Sequence, residues 1–282
     1  MTIRISTAII CLICLQLLAN PIATAQTENQ QFQLLYEIPI QNAGLFATDK
    51  LGNLYTVHQG EIRKHDSQGA VLFRFNDMLL GPPSAIDVTN PLQILVYYRN
   101  FQTVIFLDRT LTFNAKVELW PLGIPSIPTV AMASDGNLWL YNEISRTIQK
   151  ISPDGILLTQ SPDLTLLDNT TPRPVEIVER DNLVFMQTEE GSIRIFDNFG
   201  GFIRRISLKM PLLTGIHQIH RTMTLSDEEN LYLFRPNDPL QEIRTISLPD
   251  GPTPPRFVAA WQDRLYIVRN EKIECYRFAP DQ

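Results

Sequence analysis

Cysteine is nearly absent from this 282-residue chain, which holds three, at positions 11, 14 and 275. Cys11 and Cys14 have C-x-x-C spacing but lie inside an apolar N-terminal leader and depart with it, which excludes a redox pair in the mature protein. One remaining thiol cannot close an internal disulfide, so the fold must stand on its hydrophobic core. In a strand-like setting, Ile273-Glu274-Cys275-Tyr276, it is expected to be buried and inert rather than reactive. Concentrated positive charge is also missing: 24 Lys and Arg face 30 Asp and Glu, with no basic block. That excludes nucleic acid as a partner, because phosphate binding needs clustered cations. The longest apolar run, Ala8 to Ala19 interrupted by Gln16, falls short of the ~20 residues that span a bilayer. No basic amphipathic helix follows, so no membrane insertion is expected once the leader is cut. The 13 Gly and 20 Pro are scattered, which excludes collagen-like and disordered readings.

What is present begins with that leader. Arg4 supplies a positive n-region, Asn20-Pro21 breaks a helix, and Ala23-Thr24-Ala25 is a small-x-small cleavage site. Residues 1–25 read as a secretory signal peptide and residues 26–282 as a single domain. Ile10 and Ile13 precede the leader cysteines, unlike the small residue of a lipoprotein signal. Arg4 is the leader's only basic residue and it has no Asp or Glu, so 23 basic and 30 acidic residues remain, net −7. A periplasmic or secreted location is expected. The chain stops four residues after Phe278, without a separate sorting domain, which favours the periplasm.

The mature sequence repeats a short phrase. Gly136-Asn137-Leu138-Trp139-Leu140 is a turn entering a strand, and the same step recurs as Gly52-Asn53-Leu54-Tyr55, Asp181-Asn182-Leu183-Val184, Glu229-Asn230-Leu231-Tyr232 and Asp263-Arg264-Leu265-Tyr266. A sixth, degenerate copy is Pro91-Leu92-Gln93-Ile94, registered by matching Tyr97 to Tyr141 and Thr103 to Thr147. Anchors at Leu54, Ile94, Leu138, Leu183, Leu231 and Leu265 are spaced by 40, 44, 45, 48 and 34 residues. That is the period of a propeller blade of four strands. Apolar residues alternate with polar ones, as at Ile193-Arg194-Ile195, the period of half-buried strands, and no sustained 3.6-residue stripe competes with it. The last unit ends on a third strand, Lys272 to Phe278, while Phe32 to Ile38 forms an unassigned strand before the first. If the two pair, the ring closes and neither blade keeps a bare edge. The expected fold is an all-β, six-bladed β-propeller closed by an N-terminal strand pairing in the last blade.

The pattern D-x-x-G-N-L-Y, followed by an apolar strand ending in Asp or Ser and then x-x-G, resembles NHL-type six-bladed β-propellers, of the exported sort common in Bacteroidota. The resemblance spans nearly the whole mature chain and implies fold far more strongly than function. Two features depart from it: the second unit lacks the glycine turn, and the loops are lengthened by proline.

Chemistry is sparse. No G-x-S-x-G elbow and no H-E-x-x-H helix is present. Of His58, His65, His217 and His220, the pair His217-x-x-His220 would place its rings on opposite faces of a strand, and no third ligand stands near it in sequence. Asp227-Glu228-Glu229 lacks the glycine and distal Glu of a calcium loop and reads as a charged hairpin. No cofactor motif is found. Proline concentrates between blades, at Gly81-Pro82-Pro83, Pro121 to Pro128, Pro172-Arg173-Pro174, Pro211 and Pro252 to Pro255, and it stiffens those connections. The rim they form with the tips of second and third strands carries Arg99, Asn100, Glu143, Arg146, Arg173, Glu189, Glu190, His217 and Arg256, a mixed Arg/Glu set suited to binding. The expected function is an exported, non-enzymatic propeller that binds a protein or glycan partner in the cell envelope. The alternative is a metal-assisted lactonase or lyase at the channel mouth, since similar rings carry those activities. Asp87 and Glu176, on innermost strands, are the acidic candidates to face the channel.

Overall fold

The computed structural model describes residues 32–282 apart from 41–43, 169, 208–216, 220–221, 237–241 and 279–282. The leader, Pro211 and His220 lie outside the described residues. The chain opens with β1 (Phe32–Pro39). The first blade is β2 (Leu45–Thr48), β3 (Leu54–His58), β4 (Glu61–His65) and β5 (Val71–Phe75). The second is β6 (Ala85–Asp87), β7 (Gln93–Tyr98), β8 (Thr103–Asp108) and β9 (Phe113–Glu118), with a 3-10 turn at Arg99–Phe101. The third is β10 (Val130–Met132), β11 (Leu138–Asn142), β12 (Thr147–Ile151) and β13 (Leu157–Gln160), trailed by the single turn α1 (Thr165–Asp168). The fourth is β14 (Pro174–Arg180), β15 (Leu183–Thr188), β16 (Ser192–Asp197) and β17 (Phe202–Ser207). The fifth is β18 (His217–Ile219), β19 (Thr222–Ser226), β20 (Asn230–Phe234) and β21 (Ile243–Ser247). The sixth supplies β22 (Phe257–Trp261), β23 (Arg264–Arg269) and β24 (Lys272–Phe278). Each of the six sheets is antiparallel with four strands, and the sixth runs β1-β24-β23-β22. The molecule is a six-bladed β-propeller.

The second strands explain the arrangement. Successive side chains of a strand point to opposite faces, and here each face meets a different neighbouring blade. Leu138 and Leu140 join the core between the second and third blades, while Trp139 and Tyr141 join that between the third and fourth. Leu265 and Ile267 face the fifth blade, and Tyr266 and Val268 face the first. Six apolar clusters result, one in each gap between blades. The cluster between sixth and first blades places Phe46 in edge-to-face contact with Phe257, ring centroids 5.4 Å apart.

β1 pairs antiparallel with β24 from Phe32↔Phe278 to Pro39↔Lys272. It also touches the first blade: the Tyr36 hydroxyl donates to the Ser67 carbonyl. Ile38 packs so closely beneath Gly69 that a Cβ there would come within 2.7 Å of it, and Gly69 has φ +91°. Cys275, on β24, is fully buried, and burial pushes its thiol pKa up.

Turn chemistry accounts for the repeated phrase. The Asp49 carboxylate accepts from the backbone N–H groups of Leu51 and Asn53, the Asn53 amide and the Tyr55 hydroxyl, all at 2.8–3.0 Å. At the outer turns Asp66, Asp108 and Asp197 accept two backbone N–H groups each. These are side-chain mimics of a backbone turn.

One register differs from the expectation. Leu231 belongs to β20, the third strand of its blade, because β18 and β19 lie inside it. The reason is local. Asp227 accepts from Glu229 and Asn230 N–H at 2.8 and 2.7 Å and from the Tyr232 hydroxyl, repeating the Asp49 pattern on the other hairpin of the blade. Met223, on β19, is the true equivalent, and it converts the uneven spacings of 48 and 34 residues into 40 and 42.

Ile38→Ala is expected to destabilise the protein by about 2–4 kcal/mol, the range for a truncated core aliphatic. Urea unfolding would measure it; an unchanged midpoint would mean that β1 contributes nothing to the seam between sixth and first blades.

Candidate functional site

The six innermost strands surround a channel. A cavity of about 290 Å³ is lined by residues from all six, among them Leu45, Ile86, Val130, Glu176, His217 and Phe257. A second, of about 390 Å³, lies at the opposite ends of these strands, where Asp49, Thr89, Glu179 and Trp261 line it. Thr48, Val88, Arg180 and His217 border both. Asp87 and Glu176, the acidic candidates read from the sequence, do line the first cavity.

Arg180 dominates the junction. It closes β14, where the chain reverses through Asp181 and Asn182, both with positive φ (50° and 62°). Its Nη1 donates to Thr89 Oγ1 of the second blade and, at 2.9 Å, to the Glu179 carbonyl. The guanidinium thus spans from the fourth blade to the second. Thr89 in turn donates through N–H and hydroxyl to Asp87 Oδ1, whose other oxygen accepts from Met132 N–H at 2.8 Å. Glu179 is buried, with its carboxylate accepting from Trp139 Nε1 at 2.6 Å and from Ser134 Oγ. Burial lowers the pKa of Arg180, while the nearby Asp87, Glu176, Asp181 and Glu179 pull it upward; it stays charged, as Arg does in proteins.

His217 is the second group of note. Its ring meets Phe257 edge-to-face at 6.2 Å, and its Nε2 is buried with no hydrogen-bond partner among the described residues. Burial, and then the charge of Arg180, hold its pKa down to about 4 from 6.5, so it is neutral at physiological pH. Gln187 Oε1 is likewise buried and unpartnered beside the first cavity. Among the described residues, no group of three or more His, Cys, Asp or Glu is placed to hold a metal ion.

The rim residues read from the sequence are distributed as follows. The interblade connections do meet the strand tips, through backbone bonds such as Ser84 N–H to Tyr97, Glu189 N–H to Arg173 and Arg256 N–H to Val268. Arg173 pairs with Glu189 and Glu190 at 3.2 and 3.0 Å. Arg146 forms a two-pronged pair with Asp163, so both arginines are neutralised locally. Arg99 and Asn100 are exposed on the 3-10 turn and Glu143 on the tip of the third blade, and Arg256 is exposed before β22. His217 stands apart from these, in the channel wall. Sequence reasoning missed Arg180, Glu179 and Gln187. The phrase Arg180-Asp181-Asn182 looks like one more turn, and nothing in it signals that its first side chain crosses the channel.

Fold and channel together define a six-bladed β-propeller with a polar plug across its axis. No protein-family model matches the chain, and no curated protein is similar to it in sequence. Among solved structures it is similar to a streptogramin B lyase, with TM-score 0.58 and 14% identity over 89% of each chain. A catalytically inactive virginiamycin B lyase from Staphylococcus aureus with quinupristin gives TM-score 0.58 and 13% identity, covering 89% of this chain and 90% of that one. The WD40 domain of Pan2 from Neurospora crassa gives 0.60 and 8%, covering 89% and 96%. Identities this low establish a shared fold only.

The His217 environment makes a pH prediction. An unfolded imidazole takes a proton near 6.5, the folded one only near 4, so stability present above pH 6.5 is lost as pH falls toward 4. The loss approaches about 3 kcal/mol. Urea unfolding of the parent and His217→Gln at pH 7 and 4.5 should show a smaller acid loss in the variant; equal losses would remove His217 as the cause.

Proposed function

We propose that the protein is an exported, non-enzymatic binding scaffold of the NHL propeller type that engages a protein or glycan partner of the cell envelope through the channel rim. The observation that carries this reading is a cluster on the second blade. Arg99, Asn100 and Phe101 are consecutive and exposed, Phe101 by 49%. Leu119 N–H donates to the Gln102 carbonyl, which brings the adjoining loop and its 64% exposed Trp120 to the same tip. Unlike Arg146 and Arg173, Arg99 has no side-chain ion pair among the described residues. Arginine beside exposed aromatics is the composition of interface anchors, and proline-stiffened loops lose little entropy on binding. The leader pattern of Arg4, the apolar run and Ala23-Thr24-Ala25 supports export.

The competing reading, a metal-assisted lyase or lactonase, draws on the fold it shares with the streptogramin B lyase. Against it, both carboxylate oxygens of Asp87 and of Glu179 are already engaged by protein donors.

Two measurements test the proposal. Capture from envelope extract should enrich a partner, and Arg99→Ala or Arg256→Ala should weaken that enrichment by roughly tenfold each, as rim anchors worth 1–2 kcal/mol would. Recovery of the same proteins by parent and variants would count against the rim. Elemental analysis of the purified protein should find no stoichiometric divalent ion; one ion per chain would favour the lyase reading instead.

A further inference from the structure

We propose that the channel binds a neutral polyhydroxyl ring, the end unit of a carbohydrate, between Gln187 and Arg180. This rests on the scaffold reading and names a ligand class for the interior of the same ring. The cavity is enclosed by all six innermost strands, so its shape is set by the fold rather than by a single loop. Its volume, about 290 Å³, suits a small ligand.

The polar groups facing it are unequal in what they still need. Gln187 is 3% exposed, yet its Oε1 has no hydrogen-bond partner among the described residues. His217 Nε2 is in the same condition. The hydrogen bonds of Arg180 to the described residues all leave from Nη1, and Nε and Nη2 make none to them. Buried polar groups are almost always satisfied, so orphans that line a cavity mark where a missing partner sits. Two of the carboxylates, in contrast, are engaged at both oxygens. Asp87 holds Thr89 and Met132, Glu179 holds Ser134 and Trp139, and Glu176 and Asp181 also have partners.

Those demands select the ligand. A cation meets the Arg180 guanidinium and, at Asp87 and Glu179, carboxylates that already hold protein donors. A bare anion satisfies Arg180 but enters a field set by Asp87, Glu176, Glu179 and Asp181 and leaves Gln187 Oε1 without a donor. A hydroxyl both donates and accepts, so one ring of hydroxyls answers the Gln187 acceptor, either tautomer of His217 and the spare Arg180 donors. Its C–H face packs on Phe257, Leu45 and Ile86, which belong to the apolar part of the wall.

The test is titration of the purified protein with glucose, galactose, mannose and N-acetylglucosamine, followed by calorimetry and ligand-observed NMR, with acetate and glycine as the anionic and zwitterionic probes. At least one sugar should bind with a Kd of about 1 mM or tighter. Gln187→Leu should weaken it at least tenfold; His217→Phe is the second variant should the first fail to fold, with melting curves confirming the native state. Failure of all four sugars with folded parent protein, or binding of acetate or glycine in their place, overturns the inference. Envelope capture that depends on the rim, with no sugar bound by the parent, sinks this inference and leaves the scaffold reading standing. Sugar binding without any envelope partner supports the inference and sinks the scaffold reading.

Discussion

Every strand in the middle of a blade serves two cores at once, and the rest of the architecture follows from that demand. Tyr97 and Leu95 look one way and Ile94, Val96 and Tyr98 the other, so no blade can bury its side chains without a neighbour on each side. A linear stack would leave two terminal faces bare. A ring leaves none, and the cluster that joins Phe46 and Leu54 to Tyr266, Val268 and Ile273 is the contact that removes them. Apolar burial is the dominant favourable term in folding, which here makes closure a property of the sequence pattern itself.

Polar groups are used sparingly, and mostly as ties. Arg269 is buried and bonds Glu274 at 2.5 Å, the Thr253 carbonyl at 2.9 Å and the Pro249 carbonyl at 2.6 Å, anchoring the proline-rich connection between the fifth and sixth blades. Burial raises the Glu274 pKa, but the bonds from Arg269, Tyr276 and Lys272 outweigh it and leave it lowered. Gly251 sits against this guanidinium so closely that a Cβ would approach it to 2.6 Å. Across the axis, Arg180, Thr89 and Asp87 connect three blades in one chain of bonds. Networks of this kind specify a unique arrangement more than they add stability.

The blades were legible in the sequence because their turns are chemical. Asp49, Asp66, Asp108 and Asp197 must accept backbone N–H groups at fixed offsets, and glycine must supply the left-handed positions, as at Gly52 and Gly200. The same chemistry misplaced one register: Asp227 folds a different hairpin with a similar set of bonds, two backbone N–H groups and a tyrosine hydroxyl, so the phrase alone could not say which strand followed it. Only the uneven spacing carried that information. The channel was half legible. Asp87 and Glu176 follow from their place on inner strands, whereas Arg180 and Gln187 matter through partners in other blades or through the lack of one. Such relations are nonlocal, and a periodic pattern does not encode them.

The pairing of β1 with β24 bears on the timing of folding. Synthesis proceeds from the N-terminus, so Phe32–Pro39 emerges first and its partner Lys272–Phe278 last. Through all that interval the earliest strand has no partner strand, and loop-closure entropy over nearly the whole chain must be met before the two can join. Completion of that sheet therefore waits on synthesis of Lys272–Phe278, however early the other blades form.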